Sequence, residues 1–356
     1  MKKIFALLLL LMTCSTGYAQ TIKVKIDAAS VAYNPLYNKA FAAVRPGDSL
    51  YANSLLQLNP FNGTVEKTLP LGGEPYAMDF MPDKRHLYLS YYTLPKIVKI
   101  DLEQFAIVQS IDLGAFTAND FAILPASENV LIVARGEDEN PRDVVMYKDG
   151  MLQPKQVSSG LSYPSSVCIK ADGTKFYAHN GITTMCHGHI MDIADDGIMF
   201  NGIIWDYMMP AFGDIKIHDD LLYDQGGHVL DAFSDTLPIT RARMPLYLIN
   251  DGWGSGYEYS PLHNCYIYAH RNTDSLYLSF FHGEHFNYLG SLAPGVRCDA
   301  VRDLDVVDVS HFIVVAYDIW EQSNSIYFYH NTYKNKMFLK AKAEMGRWGD
   351  GEMVRW

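Results

Sequence analysis

The residues best suited to chemistry in this sequence form a Cys-His-Gly-His segment, Cys186 to His189. Side chains two apart on a β-strand share a face, so His187 and His189 are expected to reach one ion, with Cys186 or His179 as a further ligand. The sequence therefore predicts a metal site at His187 and His189, and a divalent metal ion is the one cofactor that it suggests. The alternative is that these histidines are solvated or buried in the core.

A second set of residues fits acid–base chemistry on a saccharide or a lactone. A histidine can remove a proton, a tyrosine can donate one, and an arginine can stabilise the negative charge that develops. For elimination from a uronate, the candidate bases are His187 and His228, the candidate acids Tyr163 and Tyr257, and the candidate cations Arg135 and Arg297. These residues predict a polysaccharide lyase or a lactonase-like hydrolase, as the alternative to a protein that only binds.

Binding without chemistry needs only aromatic and arginine side chains on an accessible surface. Aromatic rings stack on sugar rings or on apolar peptide side chains, and arginine adds charge and hydrogen bonds. The candidates for this role are Trp253, Tyr76, Tyr163, Trp320 and Arg271. Because no motif in the chain demands a catalytic role, we expect a binding module for a glycan, a peptide or a protein.

These candidates lie within a sevenfold internal repeat. Apolar strand patterns recur about every 45 residues, a period typical of propeller blades, in which each small sheet buries its faces against its neighbours. The seven patterns are Ser54–Leu58, Lys96–Ile100, Asp143–Tyr147, His189–Ile193, His228–Ala232, Ser275–Ser279 and Ser325–Tyr329. Two strands precede each pattern and one follows it. The sequence therefore predicts an all-β fold, a seven-bladed β-propeller of four-stranded antiparallel blades.

This organisation would place most candidates on one face of the propeller. Connections between the second and third strands of a blade emerge on the same face as the connections between blades, because the strands alternate in direction. We call this face the rim. Loops on a rigid scaffold are where binding residues concentrate, although solvated polar loops would give a similar composition.

The first three blades of the repeat also resemble a known family. The segment Glu74 to Asp83 contains Pro75-Tyr76-Ala77-Met78-Asp79-Phe80-Met81-Pro82-Asp83, and Ile97 to Asp101 continues the pattern. These segments resemble blades of the YVTN-type seven-bladed β-propeller repeat family, which has lactonase-like members. The resemblance implies the propeller architecture. The Tyr-Val-Thr-Asn tetrapeptide that gives the family its name does not occur in this sequence.

The first residues are typical of an export signal. Lys2 and Lys3 precede an apolar stretch, and the small residues Gly17 and Ala19 then form a typical cleavage site. Residues 1–19 are therefore predicted to be a signal peptide and residues 20–356 the propeller. No later apolar run is long enough to cross a membrane. We expect a periplasmic or secreted protein; lipid attachment at Cys14 is the alternative.

Charge and cysteine content narrow the partners and the covalent structure. The chain carries a formal charge of −11, and no Lys/Arg-rich stripe offsets it, so nucleic acid is not expected as a partner. A disulfide between Cys168 and Cys186 and buried free thiols are both compatible with the sequence.

Two further expectations concern the ring itself. The alternating segment Thr21–Ile26 is predicted to add an outer strand to the last blade and so close the ring. Asp79, Glu258 and Asp305 occupy similar places on innermost strands. Their carboxylates are expected either to bind Ca²⁺ or Mg²⁺ in the central channel or to hydrogen-bond neighbouring blades.

Overall fold

The structure is a computed structural model of the chain. It describes residues 20–125, 127, 129–137, 140–157, 165–179, 188–204, 215–218, 220–224, 227–231, 239–243, 256–261, 264–272, 275–284, 288–308, 310–318 and 320–330.

The described residues form seven four-stranded antiparallel sheets and the loops between them, and they contain no helix. Blade one contains β2 (Ala28–Asn34), β3 (Lys39–Val44), β4 (Ser54–Leu58) and β5 (Val65–Pro70). Blade two contains β6 (Pro75–Phe80), β7 (His86–Tyr91), β8 (Lys96–Asp101) and β9 (Ala106–Asp112). Blade three contains β10 (Thr117–Ile123), β11 (Val130–Glu137), β12 (Asn140–Lys148) and β13 (Met151–Leu152).

The remaining blades follow the same order. Blade four contains β14 (Ser166–Ile169), β15 (Lys175–His179), β16 (Gly188–Ala194) and β17 (Gly197–Ile204). Blade five contains β18 (Ile215–His218), β19 (Leu221–Asp224), β20 (His228–Asp231) and β21 (Ile239–Arg243). Blade six contains β22 (Gly256–Ser260), β23 (Cys265–Asn272), β24 (Ser275–His282) and β25 (Tyr288–Leu292). Blade seven contains β26 (Ala300–Val306), β27 (His311–Asp318), β28 (Ser323–His330) and β1 (Gln20–Val24).

The predicted seven-bladed propeller is confirmed. Each predicted apolar pattern is the third strand of a blade, and the first strand of each blade is innermost, in contact with first strands of neighbouring blades. The cores lie between blades; one cluster, for example, joins Phe41 and Leu55 of blade one to Leu87 and Leu89 of blade two. Stacking therefore buries faces that a single four-stranded sheet would leave exposed.

The N-terminal strand closes the ring, as its alternating pattern predicted. β1 is the outermost strand of blade seven and pairs antiparallel with β28, from Gln20 opposite His330 to Val24 opposite Ile326. Ile22 and Val24 pack against the apolar core shared by blades seven and one. The ring thus joins the two ends of the described chain within one sheet.

Aspartate side chains shape several turns. At the first hairpin of blade two, Asp83 Oδ1 accepts hydrogen bonds from the backbone N–H groups of Arg85 and His86, and Asp83 Oδ2 lies 2.6 Å from His86 Nδ1. Asp308 and His311 repeat this arrangement in blade seven at 2.8 Å. Such bonds stabilise the turn conformation. These two Asp–His pairs are therefore turn structures on the face opposite the rim.

The cysteines pack as apolar residues. Cys168, Cys265 and Cys298 are buried free thiols, and Cys168 lies among Tyr177, Ile190 and other residues between blades four and five. Cys186, the other half of the predicted disulfide, lies outside the described residues; the free Cys168 thiol within an apolar cluster favours the alternative of buried free thiols. Burial raises the pKa of the Cys265 and Cys298 thiols to about 12, which keeps both protonated and unreactive at neutral pH.

Candidate functional site

The rim is described only in part. Three of the sequence-predicted site residues, Tyr163, His187 and Trp253, lie outside the described residues, so their roles stay predictions. The described candidates divide into two groups. Trp320, Arg297 and Tyr76 are exposed at the rim, whereas Arg135, Tyr257, His189 and His228 are buried and Arg271 is partly buried.

Trp320 is the most exposed aromatic side chain among the described residues of the rim. It lies in the turn between β27 and β28 with 75 % of its surface exposed. Asp318 Oδ1 accepts hydrogen bonds from the backbone N–H groups of Trp320 and Glu321, at 2.9 and 3.3 Å, which fixes the turn. The Arg297 guanidinium lies 5.5 Å from the indole centroid. Two predicted site residues thus form one exposed cation–π pair.

A second aromatic pair lies on the rim at blade two. Tyr76 and Tyr92 have ring centroids 5.7 Å apart and are both more than one-third exposed. Tyr76 belongs to a bulge near the start of β6, where one extra residue separates the pairs Pro75–Tyr91 and Met78–Leu89. A bulge turns a side chain away from the regular strand surface. The bulge therefore helps to expose Tyr76 at the rim.

Bulges of this kind recur on innermost strands at their rim ends. The extra residues in blades one, three and seven are Ala29, Asn119 and Arg302. Arg302 is exposed, and its guanidinium lies 5.7 Å from the centroid of the Tyr317 ring. Blade seven thus presents two arginines to solvent, each beside an aromatic ring.

Arg135 has a structural role within blade three. Its Nε and Nη2 donate hydrogen bonds to the two carboxylate oxygens of Asp143, at 2.9 and 2.7 Å. Its Nη1 donates to the Tyr147 hydroxyl and the Leu113 carbonyl. All three guanidinium nitrogens are engaged inside the protein, and this arrangement favours stability of the hairpin over the predicted contact with a ligand carboxylate.

Tyr257 and Arg271 also serve the scaffold. The buried ring of Tyr257 stacks on Tyr268, with centroids 5.5 Å apart and planes 12° apart. Arg271 Nη1 donates to the Asp299 carbonyl at 3.1 Å and lies 3.8 Å from that residue's carboxylate. Arg271 thereby ties β23 to the segment that leads into β26.

His228 is a buried rim residue whose ring is oriented by a carboxylate, as the ring of a general base is. Its Nδ1 lies 2.8 Å from Asp224 Oδ2, and its backbone N–H donates to Asp224 Oδ1. Gly227 allows the chain to turn so that His228 faces Asp224, because the Gly227 φ of 80° lies in the left-handed region that favours glycine. The His228 Nε2 is buried without a hydrogen-bond partner among the described residues. An aspartate that fixes Nδ1–H leaves Nε2 as the proton acceptor.

His189 is the only described member of the predicted metal pair. It is fully buried on β16, opposite Ala178, and its ring centroid lies 6.3 Å from that of Phe200. Within the described part of the chain, no group of three His, Cys, Asp or Glu residues has an arrangement that could hold a metal. The surroundings of His189 favour the core histidine that was the alternative to a ligand.

Charged side chains line the central channel. Lys216 on β18 donates hydrogen bonds to the Glu258 carboxylate at 2.6 Å and the Tyr257 carbonyl at 2.9 Å. In blade seven, Asp303 Oδ2 and Asp305 Oδ2 accept hydrogen bonds from the Val31 and Tyr33 N–H groups of blade one. These bonds join neighbouring blades, so the predicted inter-blade role is confirmed for Glu258 and Asp305.

Burial, neighbouring carboxylates and two lysines, Lys84 and Lys216, set the pKa values of the channel carboxylates. Burial of the carboxyl group and repulsion from the Glu258 carboxylate together raise the pKa of Asp305 to about 7. Burial within the channel also raises the pKa of Asp79 and Asp303 to about 6; attraction to Lys84 is the main opposing effect for Asp79, and attraction to Lys216 is the main opposing effect for Asp303. The same burial would lower the pKa of Lys216, but attraction to Glu258 and Asp303 outweighs it and raises that pKa. Lys216 therefore stays charged.

We expect Asp305→Asn to change how stability depends on pH. The folded-state pKa of Asp305 is raised, so wild-type stability falls as pH rises from about 4 to about 7, where the folded protein holds a proton that the unfolded chain releases. Asparagine cannot ionise. The melting temperature of the variant minus that of the wild type should rise by roughly 2–5 °C between pH 4 and pH 8. Calorimetry across that range checks this; a constant difference would contradict it. The loss of a hydrogen-bond acceptor would change the melting temperature of the variant by the same amount at pH 4 and at pH 8.

Leu50 and Lys216 were not among the site residues predicted from the sequence. Leu50 lies in the turn between β3 and β4 with 79 % of its surface exposed, and Asp48 Oδ1 holds its N–H as Asp318 holds that of Trp320. The shared Asp-x-apolar pattern in these turns is a signal that could have identified Leu50. Lys216 meets Glu258 across 42 positions of sequence, so no local pattern indicates the pair.

Comparisons with known proteins support the fold and nothing narrower. No protein-family model matches the chain, and no curated protein does. Among solved structures it resembles the β-propeller domain of Cps50 (Swd1) from Myceliophteria thermophila, with a TM-score of 0.63 and 12 % identity over 87 % of this chain and 98 % of that one. At this identity the likeness shows a β-propeller only, a fold that hosts many functions.

Proposed function

We propose that the protein is an exported binding module whose rim holds a glycan, a peptide or a protein. The observation that carries this proposal is the exposed indole of Trp320, with Arg297 beside its ring and Asp318 fixing its turn. A large aromatic ring held in one position loses little conformational freedom on binding. It is also poorly suited to solvent, which supports a role in contact with a ligand.

The topology supports presentation of the rim away from the chain ends. Gln20 and His330 pair at the face opposite the rim, so the described chain starts and ends on that face. After export, whether by cleavage behind Ala19 or by lipid attachment at Cys14, the rim would point away from the N-terminus. The part of the chain that the structure describes contains no helix long and apolar enough to cross a membrane. The resemblance to the YVTN-type family agrees with such a module.

We expect Trp320→Ala to weaken binding by about tenfold or more, since exposed aromatic anchors contribute on the order of 2 kcal/mol to interfaces. The wild-type protein would be screened against defined neutral and acidic oligosaccharides and against displayed random peptides, and the affinity of the best binder measured by calorimetry. Met151→Ala is the matched control, because Met151 is also exposed but lies on outer strand β13 of blade three. Equal affinities for the two variants would contradict the proposal.

The Asp224–His228 pair favours an enzyme as the second candidate function. In elimination from a uronate, the buried His228 Nε2 would first have to become accessible to the substrate. It would then take the proton from the carbon beside the carboxylate, the electron pair of that C–H bond would form a C=C bond, the glycosidic C–O bond would break, and water would give a proton to the leaving oxygen. Asp224 would stabilise the imidazolium that forms.

We expect His228→Gln to abolish any such activity. Acidic oligosaccharides incubated with the wild type would then gain ultraviolet absorbance from unsaturated products, at least 100-fold faster than with the variant. Glutamine retains a polar side chain of similar length, and an unchanged melting curve would establish that the variant is folded. No absorbance change with the wild type on any uronate tested would leave binding as the function.

A further inference from the structure

We infer that the ligand of the rim is a protein segment carrying apolar side chains flanked by carboxylates. It would dock on an apolar arc that crosses blades seven, one and two, formed by Trp320, Leu50, Tyr76 and Tyr92. This inference rests on the proposed function, because it names the class of ligand for the same surface.

The first support is that Leu50 and Trp320 are held in the same way on neighbouring blades. Each lies in the connection between the second and third strands, two residues after an aspartate whose Oδ1 accepts its N–H at 2.9 Å. Asp48 provides this contact in blade one and Asp318 in blade seven. They have the highest exposures among the large apolar side chains that the structure describes. Single exposed apolar residues are ordinary, but a matched pair on adjacent blades indicates a shared contact surface.

The two turns are tied together by hydrogen bonds across the closure of the ring. Asn324 Nδ2 donates to Asp27 Oδ1 at 2.8 Å, and the Asp27 N–H donates to Asp48 Oδ2 at 3.1 Å. Asp48 in turn holds Leu50. The spacing of the two turns that carry the apolar side chains is therefore fixed before a partner arrives, which lowers the entropic cost of docking.

Tyr76 and Tyr92 extend the same surface to blade two. Blade one contacts blade two here, because Ser30 Oγ donates to the Tyr76 carbonyl at 3.4 Å. The Tyr76 bulge and the contact between the two rings hold this end of the arc. Three consecutive blades thus each contribute exposed apolar surface to the rim.

Two arginines beside the arc are available to a ligand, whereas the nearby Glu321 is already paired with Lys23 and Lys25. Arg297 and Arg302 are both exposed beside aromatic rings, and neither forms an ion pair within the described part of the chain. Lys25 is also exposed and reaches Glu321 at 3.5 Å. Guanidinium groups bind carboxylates through two parallel hydrogen bonds. The docked segment is therefore expected to carry Asp or Glu beside its apolar residues.

The width of the arc favours a protein over a short glycan. Sheets packed face to face stand about 10 Å apart, so three blades span roughly 20 Å. A standard protein interface covers about 800 Å² on each partner, which is a patch of similar width, and Trp, Tyr and Arg supply most of its binding energy. A sugar would stack on one ring at a time, and Leu50 offers it no aromatic face. An aliphatic or aromatic peptide side chain would bury Leu50.

The experiment selects short random peptides, displayed on phage, on the immobilised full-length protein. We expect the selected peptides to be enriched in Asp or Glu adjacent to Leu, Phe or Trp. Synthetic versions should lose at least tenfold in affinity with Trp320→Ala, with Leu50→Ser and with the double variant R297Q/R302Q, and should bind more weakly as salt concentration rises. Met151→Ala should bind them as the wild type does. Unchanged melting curves identify folded variants, and the exposed arginines allow the test even if a turn substitution destabilises the protein.

Each other outcome overturns the inference in a recognisable way. Selected peptides that lack acidic residues, or that bind all variants equally, would exclude the acidic protein segment. Oligogalacturonate or oligoalginate binding that depends on Trp320, without peptide binding, would retain the proposed function and make the ligand a glycan. Self-association in the ultracentrifuge that Trp320→Ala abolishes would make a second copy of this chain the occupant. Binding of neither probe class, with no self-association, would overturn the proposed function as well.

Discussion

Asp143→Ala should lower the free energy of unfolding by about 3–5 kcal/mol, because it leaves the buried guanidinium of Arg135 without its carboxylate partner. Both oxygens of Asp143 accept hydrogen bonds from that guanidinium, and the remaining contacts, to Leu113 and Tyr147, are longer and uncharged. A buried charge that loses its counter-ion keeps its desolvation penalty. Urea unfolding followed by circular dichroism measures the loss.

The double variant Arg135→Met/Asp143→Leu distinguishes the cost of an unpaired buried charge from the cost of lost side-chain packing. Apolar residues of similar volume remove both charges together, so the double variant should recover most of the stability that Asp143→Ala loses. Asp143→Asn, which keeps one acceptor but no charge, should lie between them. A loss below about 1 kcal/mol for Asp143→Ala, which is typical of exposed ion pairs, would show that solvent reaches the Arg135 guanidinium in solution.

Much of the fold could be predicted because each blade repeats the same pattern of apolar strands and turn residues. The pattern Ser54–Leu58 coincides with β4, and the other six predicted patterns lie on the third strands of their blades, differing by a few residues at the ends. Pro and Asp residues mark the turns, since they restrict or stabilise backbone angles locally. The closing strand could also be predicted, because strict alternation of apolar and polar residues in Thr21–Ile26 is typical of a strand with one buried face.

The exposure of rim residues followed only in part from their sequence. Trp320 was placed correctly on an exposed turn, since loop residues inherit their position from the strands around them. Tyr76 and Arg302 owe their exposure to bulges, and one extra residue in a strand leaves the apolar period almost unchanged. The register that pairs Arg135 with Asp143 depends on the length of the hairpin turn between them. Arg135 therefore looked accessible in sequence although it is buried in the blade.

The second large effect is expected from deleting residues 20–24, the strand β1. The deletion removes five paired residues from the edge of β28 and uncovers Ile326 and Phe328, against which Ile22 and Val24 pack. It also moves the open edge of the sheet from the short, partly exposed β1 to the longer, mostly buried β28, which is a better template for aggregation. We expect the melting temperature to fall by roughly 10 °C, which corresponds to a few kcal/mol for a domain of this size. Thermal unfolding followed by circular dichroism provides the measurement.

Two controls assign that loss to the strand itself. Lys23→Gln with Lys25→Gln removes the ion pairs to Glu321 and the contact of Lys23 with the Tyr327 ring but keeps the strand, so the melting temperature should change by less than about 2 °C. A synthetic peptide with the sequence of residues 20–26, added to the deletion variant, should raise its melting temperature because it can pair with β28 in trans, whereas a scrambled peptide should not. An unchanged melt after the deletion would mean that the other three strands of blade seven hold the ring closed without β1, and that the N-terminal strand only covers an edge.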